Sequence, residues 1–321
     1  MFISLFRAVL LLFIMMIPGF IMRKTKLASD GLPLGFTNTI LYITQPAMLI
    51  VGFFRARDME ILKTAAFVML LSFITHIMFL FAVKLFFRGA EKETRKVYRF
   101  GTVFANAGYM GIPLISMVLG DEAAIYASVY IVGFNFFCWS FGALIYSEDK
   151  SFISPRKMFV NAATIPTAIG IVIFVTNLYS YIPTPIADFT YEALSMLKDT
   201  VAPMSMMIIG MRLADLELKG AFKDKYLYLG LALRLLVFPI GAFGLLAICK
   251  LLGFYNEIAF TVILVCAATP VASATCMFAE KFGSDSASAS KFVSISTILS
   301  LVTMPIIALL LDAVPMIPSL I

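Results

Sequence analysis

Charged residues are scarce in this sequence. Only 14% of its 321 residues are Asp, Glu, Lys or Arg, whereas 61% are hydrophobic and the mean hydropathy is +0.97. Soluble domains carry about 25% charged residues, so the composition excludes a soluble globular protein and predicts an all-α integral membrane protein in a lipid bilayer. The net charge of +6 does not indicate a nucleic-acid partner, because the basic residues lie in short connecting loops rather than on one face.

Histidine and cysteine are also scarce. His76 is the single histidine, and the four cysteines, Cys138, Cys249, Cys266 and Cys276, lie in or beside apolar stretches without the spacing of a metal site or a disulfide framework. The sequence therefore predicts neither a metal nor another cofactor. It also contains no G-x-x-x-x-G-K-[ST] phosphate-binding loop and no G-x-S-x-G nucleophile motif, which argues against direct use of ATP and against an enzyme.

Long apolar stretches fill most of the chain. A helix needs about 20 apolar residues to cross a bilayer, and ten stretches are long and apolar enough to do so. We therefore predict ten transmembrane helices, called spans one to ten, at about 3–22, 33–54, 61–87, 99–119, 123–147, 158–179, 188–211, 226–250, 256–280 and 288–311.

Lys and Arg residues are concentrated in alternate loops. The loops that follow spans one, three, five, seven and nine hold most of them, for example Arg23 and Lys24 after span one and Arg95 and Lys96 after span three. By the positive-inside rule these loops are cytoplasmic. We therefore predict a multi-pass protein of the cell (plasma) membrane with both termini extracytoplasmic.

A single shift of 157 residues along the sequence aligns prolines, a tyrosine and charged residues of the first half with identical residues of the second half. Each half has an odd number of spans, so the second half must enter the membrane from the opposite side. The shift therefore predicts a 5+5 inverted repeat, with 1–157 as the first five-helix repeat and 158–321 as the second. The aligned residues are Pro46 with Pro203, Pro113 with Pro270, Tyr98 with Tyr255, and Arg55, Asp58 and Glu60 with Arg212, Asp215 and Glu217.

Spans four and nine are predicted to be broken helices that cross. Gly108 and Gly111 weaken the helix ahead of Pro113, and Thr269 before Pro270 has the pattern of an N-cap followed by proline at the first helical position. Each helix would restart at its proline, so that two positive half-helix N-termini converge on one anion site; the alternative is a pair of kinks that only shape the bundle. The predicted substrate-binding residues are Asn106, Gly108, Tyr109, Gly111, Pro113, Thr269, Pro270, Ser273 and Gln45.

Four ionisable residues inside predicted spans are candidates for ion coupling or charge compensation. Arg234 is well inside span eight and could pair with a carboxylate or contact the anion. Lys198 and Asp199 could take part in proton coupling or reach the membrane interface. His76 could relay protons or be a hydrogen-bonded core residue.

Two segments resemble the auxin efflux carrier family, which belongs to the bile acid, arsenite and riboflavin transporter superfamily. The resemblance covers nearly the whole chain and includes the crossing of spans four and nine. The segments that carry it are Asn106-x-Gly108-x-x-Gly111-x-Pro113 in span four and Ala202-Pro203-Met204 to Gly210-Met-Arg-Leu-Ala in span seven.

The resemblance implies a secondary active transporter of an organic anion with elevator-type alternating access. Spans one, two, six and seven would form a scaffold that assembles as a homodimer, and spans three to five and eight to ten would form the moving transport domain. Family substrates are auxin in plants and malate or malonate in several bacteria. This sequence lacks the long hydrophilic loop of many plant carriers and has no asparagine before Pro270, so we predict a small mono- or dicarboxylate.

Two other functions are compatible with the sequence. A sodium-coupled symporter of the bile acid type would need ligands for the ion, and Glu280, Asp285 and the hydroxyls between Ser284 and Ser290 are available. A non-transporting membrane sensor or a channel is a more distant alternative. The coupling ion stays open between proton and sodium.

Overall fold

The computed structural model describes residues 2–120, 123–149, 164–216 and 223–317, and the regular elements in these ranges are helices. The boundary predicted between residues 157 and 158, and Glu217 of the predicted repeat, lie outside the described residues. The helices are α1 (Phe2–Lys24), α2 (Leu32–Phe53), α3 (Met59–Leu85), α4 (Lys92–Val103), α5 (Ala107–Leu119), α6 (Ala124–Ser147), α7 (Thr164–Val175), α8 (Thr184–Asp199), α9 (Val201–Ala214), α10 (Lys225–Leu251), α11 (Glu257–Ala268), α12 (Ala274–Lys281) and α13 (Ser286–Ala313).

Six of these helices are long and apolar enough to cross a membrane: α1, α2, α3, α6, α10 and α13. Three shorter helices, α5, α7 and α11, are also apolar. Large apolar side chains on these helices lie on the outside of the bundle, since residues such as Ile14, Leu70 and Ile240 are about half exposed, as expected for helices in lipid. The prediction of an all-α integral membrane protein is therefore confirmed for the described chain.

Carboxylates fix the starts of the long helices α3 and α10. The Asp58 side chain accepts hydrogen bonds from the amides of Glu60 and Ile61 at 2.7 and 3.2 Å. Asp224 does the same for the amides of Tyr226 and Leu227 at 2.9 and 3.1 Å. Each cap satisfies backbone donors that the helix itself leaves without a partner.

Helices α1 and α9 approach each other closely at two glycines. Gly19 of α1 lies against the backbone of Met207, and Gly210 of α9 lies against the carbonyl group of Met16. A side-chain carbon on either glycine would overlap these backbone atoms. Small residues allow membrane helices to approach until their backbones touch, so the two glycines fix α1 against α9.

Predicted span seven is two consecutive helices rather than one. α8 ends at Asp199 and α9 begins at Val201. The first of these helices, α8, begins at Thr184, four residues before the predicted start of span seven at residue 188. Pro185 lies in its first turn, where a helix tolerates the missing amide hydrogen of proline.

Candidate functional site

Two segments that belong to no helix lie side by side in the centre of the fold. They are residues 104–106, between α4 and α5, and residues 269–273, between α11 and α12. Ala105 and Val271 form an antiparallel bridge. The Asn106 amide donates to the Pro270 carbonyl at 2.8 Å, and the Ala272 amide donates to the Phe104 carbonyl at 3.0 Å. Each segment thus satisfies backbone groups of the other, as non-helical backbone inside a membrane requires.

Local sequence explains the second break better than the first. Thr269 precedes a proline and is extended, with φ −60° and ψ 152°, because a proline disfavours the helical conformation of the residue before it. Phe104 is also extended, with φ −94° and ψ 112°, although no proline follows it. The pairing with residues 269–273 therefore accounts for the first break.

The predicted positions of Pro113 and Thr269 at the starts of the two half-helices are wrong. Pro113 does not lie at the break but in the helical run Ile112–Leu119, after a π-helical turn at Ala107–Gly111. Proline is compatible with the first turn of a helix, so it follows the break instead of causing it. Thr269 caps the end of α11 rather than the start of α12, and its hydroxyl donates to the Cys266 carbonyl at 2.8 Å.

A small cavity lies next to the crossing, and we call it the crossing cavity. Its volume is about 70 Å³. Side chains from α2, α5, α6, α9 and α12 surround it. Five of the predicted substrate-binding residues line this cavity together, namely Gln45, Asn106, Gly108, Tyr109 and Ser273.

The other predicted binding residues do not line the crossing cavity. Thr269 and Pro270 are part of the crossed backbone itself. Gly111 faces α11, where a side-chain carbon would lie 3.1 Å from the Cys266 sulfur. Pro113 lines a separate cavity. Of these four residues, Thr269 and Pro270 belong to the crossing and Gly111 packs against α11, whereas Pro113 contacts the other cavity.

Several polar groups around the crossing cavity have no hydrogen-bond partner. Asn106 and Asn135 are 3% and 5% exposed. Unpaired buried polar atoms are rare in folded proteins and call for an explanation. The unpaired atoms are the side-chain nitrogens Asn106 Nδ2, Asn135 Nδ2 and Arg212 Nε and the hydroxyl oxygen Ser273 Oγ. Nitrogen atoms of these types are donors, so the cavity presents hydrogen-bond donors that an acceptor would satisfy.

Arg212 is the charged member of this set, and sequence reasoning did not assign it to the site. It lies in the last turn of α9, and its Nη1 is 3.5 Å from the Glu280 carboxylate of α12. Among the described residues that line the cavity, no other is charged. The signal is present in the Gly210-Met-Arg-Leu-Ala segment, but Arg212 directly follows predicted span seven, a position that is typical of a loop charge.

Arg234 lies behind the crossing and is fully buried. Its guanidinium donates to the carbonyl oxygens of Thr102 and Val103, both at 3.2 Å, and to that of Ala267. Arg234 was predicted to pair with a carboxylate or to contact the anion. Within the described chain it forms no ion pair with a carboxylate, and it does not line the crossing cavity. It instead binds the last carbonyls of α4 and α11.

His76 does not line the crossing cavity. Its Nδ1 is 2.7 Å from the Ser72 carbonyl oxygen, and its ring stacks on Phe137 with the ring centres 5.7 Å apart. These contacts match the alternative of a hydrogen-bonded core histidine.

Lys198 and Asp199 line a second and larger cavity of about 510 Å³, which we call the vestibule. Their side chains form an ion pair with each other at 3.5 Å. Arg55, Tyr179 and Pro113 line the same cavity. The predicted charge pair is therefore separate from the crossing cavity.

Of the four helices that line both cavities, three (α2, α5 and α9) do so with residues that are three positions apart. Within α2, Gln45 lines the crossing cavity and Met48 lines the vestibule. Within α9, Ser205 lines the crossing cavity and Ala202 lines the vestibule. Within α5, Tyr109 lines the crossing cavity and Ile112 lines the vestibule. Since neighbouring turns of each helix face different cavities, the two cavities lie in series along one seam.

Comparison with known proteins gives two matches. The family model described as "Membrane transport protein" matches residues 4–308. A protein of Methanothermobacter thermautotrophicus (strain Delta H), described as an uncharacterized transporter, is 24% identical over 306 residues. This alignment covers 93% of the present chain and 95% of that relative, so the similarity includes both breaks and both cavities.

Proposed function

Because the chain belongs to the membrane transport protein family, and is thus a membrane transporter, we propose that it carries a small organic anion, a mono- or dicarboxylate, across the cell membrane. The family assignment confirms the resemblance to the auxin efflux carriers that the sequence predicted. The proposed substrate-binding site is the crossing cavity.

The unpaired donors of the crossing cavity are the observation that carries this proposal. Amide and guanidinium nitrogens cannot accept hydrogen bonds, so their ligand must supply acceptor atoms. A carboxylate has two acceptor oxygens and a negative charge, and its hydrogen bonds with Arg are among the strongest in proteins. The positive Arg212, with no acidic residue among the described residues that line the cavity, favours an anion over a neutral acceptor.

The helix ends add to the same preference. α5 begins at Ala107 and α12 begins at Ala274, both directly after the crossed segments. A helix N-terminus carries about half a positive charge and free amide donors. Asn106 and Ser273, which line the cavity, are the residues immediately before these two helices, so an anion there would face both positive ends.

The helices can be assigned to the ten predicted spans. In this proposal α4 with α5 forms span four, α8 with α9 forms span seven, α11 with α12 forms span nine, and each remaining helix is one span. The two halves form the 5+5 inverted repeat, with both termini extracytoplasmic. The scaffold is then α1, α2, α7, α8 and α9, and the remaining helices form the transport domain.

The seam between the cavities supports an elevator movement. In the proposed division, α2 and α9 belong to the scaffold, whereas α5 and α12 belong to the transport domain. Sliding of the transport domain along α2 and α9 would move the bound anion from the level of the crossing cavity to that of the vestibule. Gln45 and Met48 would then contact the substrate site in alternation.

The two carboxylates named for sodium coupling of the bile acid type already have partners within the protein. Glu280 contacts Arg212. Asp285 accepts hydrogen bonds from the Ser288 amide at 2.9 Å and from the Thr94 hydroxyl at 2.7 Å. These contacts use the carboxylates for an interhelical ion pair and for the start of α13.

Replacement of Asn106 by Ala tests the site. We expect the anion affinity to fall about tenfold or more, since a hydrogen bond to a charged group contributes about 1.5–3 kcal/mol. The melting temperature should be unchanged, because the Asn106 Nδ2 makes no hydrogen bond within the protein. The measurement is the rise in melting temperature of the purified protein with a panel of carboxylates, followed by uptake into proteoliposomes.

Asn256→Ala is the matched control. Asn256 lies outside both cavities, and its side chain caps α11 at the Ala259 amide and donates to Thr64. Loss of a cap costs about 0.5–2 kcal/mol, so this variant should melt earlier but keep its anion affinity. An Asn106→Ala protein with unchanged affinity for every carboxylate that it binds would contradict the site, and binding without uptake would indicate a sensor.

A further inference from the structure

The carbonyl groups around Arg234 come from the ends of two different helices. Thr102 and Val103 are the last residues of α4, and Ala267 is next to the last residue of α11. Both helices end at the crossing, so their terminal carbonyls have no partners within the helix. The guanidinium of Arg234 supplies donors to three of them.

The charges of this arrangement balance without an acidic side chain. A helix C-terminus carries about half a negative charge, so α4 and α11 together present about one negative charge to Arg234. A buried charge is costly unless it is paired and hydrogen-bonded, and Arg234 is fully buried. The two helix ends therefore act as its counter-ion.

We propose that the carbonyl oxygens of Thr102, Val103 and Ala267 form a cation site whose occupant, the Arg234 guanidinium, is built into the chain. A dissociable inorganic cation is consequently not needed at the crossing. The negative helix ends are already neutralised, and the positive ends of α5 and α12 remain available to an anion. This inference concerns the cation side of the crossing and does not depend on which substrate is carried.

The geometry favours Arg over Lys at this position. Three carbonyls from two helices lie around one side chain, and they are bound by both terminal nitrogens of the guanidinium. A guanidinium is a planar fork with several fixed donors, whereas an ammonium group is a single point charge. The ring of Phe79, 5.9 Å from the Arg234 Cζ, adds a cation–π contact.

Chemical rescue of Arg234→Ala tests the proposal. We expect the purified variant to melt earlier than the wild-type protein and to regain about 2–4 °C in about 20 mM guanidinium chloride, because the free cation binds only the folded site. Urea at the same concentration is the control, since it has nearly the same shape without the charge. An equal response to urea and guanidinium would overturn the proposal.

Two further proteins separate a cation site from a general loss of packing. Arg234→Lys keeps a charge at the site and should therefore gain nothing from guanidinium. The wild-type protein should melt at the same temperature in sodium, potassium and choline chloride at equal ionic strength. A sodium-specific rise in the wild-type protein would overturn the proposal, even if Arg234→Ala does not fold. None of these measurements requires a substrate, so failure of the cation site is distinguishable from failure of the proposed anion transport.

Discussion

Replacement of Arg212 by Gln is expected to lower anion affinity about 100-fold, because it removes the positive charge of the crossing cavity and a charge-assisted hydrogen bond to the substrate. Uptake should fall by a similar factor at substrate concentrations below saturation. The measurement is the concentration of carboxylate that gives half of the maximal rise in melting temperature, together with the initial rate of uptake into proteoliposomes.

The fold should tolerate this change. The Glu280 carboxylate that Arg212 contacts is about half exposed, at 52%, so water can solvate it once the guanidinium is removed. Arg88→Gln is the matched control, because Arg88 is exposed and lines neither cavity. Equal anion affinity in both variants would contradict the role of Arg212, whereas a large fall in melting temperature for Arg212→Gln would show that its role is structural.

The sequence predicted the position of the site through local chemistry. Asn106 and Gly108 stand where a helix would be weakest, and Ser273 follows the Thr269–Pro270 pair. Asn106, Gly108 and Ser273 line one cavity in the structure. The Thr269–Pro270 pair does not line it but forms part of the crossed backbone. A weak helix and a conformationally restricted residue before proline are local properties, so they can be read without knowledge of the fold.

The 157-residue shift does not superimpose the aspartates that cap α3 and α10. It aligns Asp58 with Asp215, but the structure gives the capping role of Asp58 to Asp224. Asp215 instead accepts a hydrogen bond from Arg23 at 2.7 Å. The prolines of α2 and α9 keep the 157-residue spacing, whereas the capping residues of α3 and α10, Asp58 and Asp224, are 224 − 58 = 166 residues apart.

Contacts between distant segments could not be predicted from the sequence. Asn135 and Arg212 reach the cavity from α6 and α9, and Arg234 meets carbonyls more than 30 residues away, on α4 and α11. Each is an ordinary polar residue in an apolar helix until the helices are placed together. The position of Arg234 also shows why a buried charge need not indicate an acidic partner: two helix ends can take that role.

Gly210→Ala is expected to destabilise the protein by about 3 kcal/mol or more, at the upper end of what overpacking costs. A methyl group at this position would overlap the Met16 carbonyl and approach the Phe20 amide nitrogen, which are backbone atoms and cannot rotate away. α1 and α9 would have to separate along their contact. The measurement is the melting temperature of the purified variant.

Gly244→Ala is the control for the chemical change itself. Gly244 lies inside α10, and nothing is within 4 Å of the added carbon, so the better helix propensity of Ala should leave the melting temperature equal or slightly higher. Gly210 lies two residues before Arg212 on α9; displacement of α9 should therefore weaken anion binding as well as the fold. A Gly210→Ala protein that melts like the Gly244→Ala protein would show that the α1–α9 contact is not rigid, and the crossing cavity would then need another support.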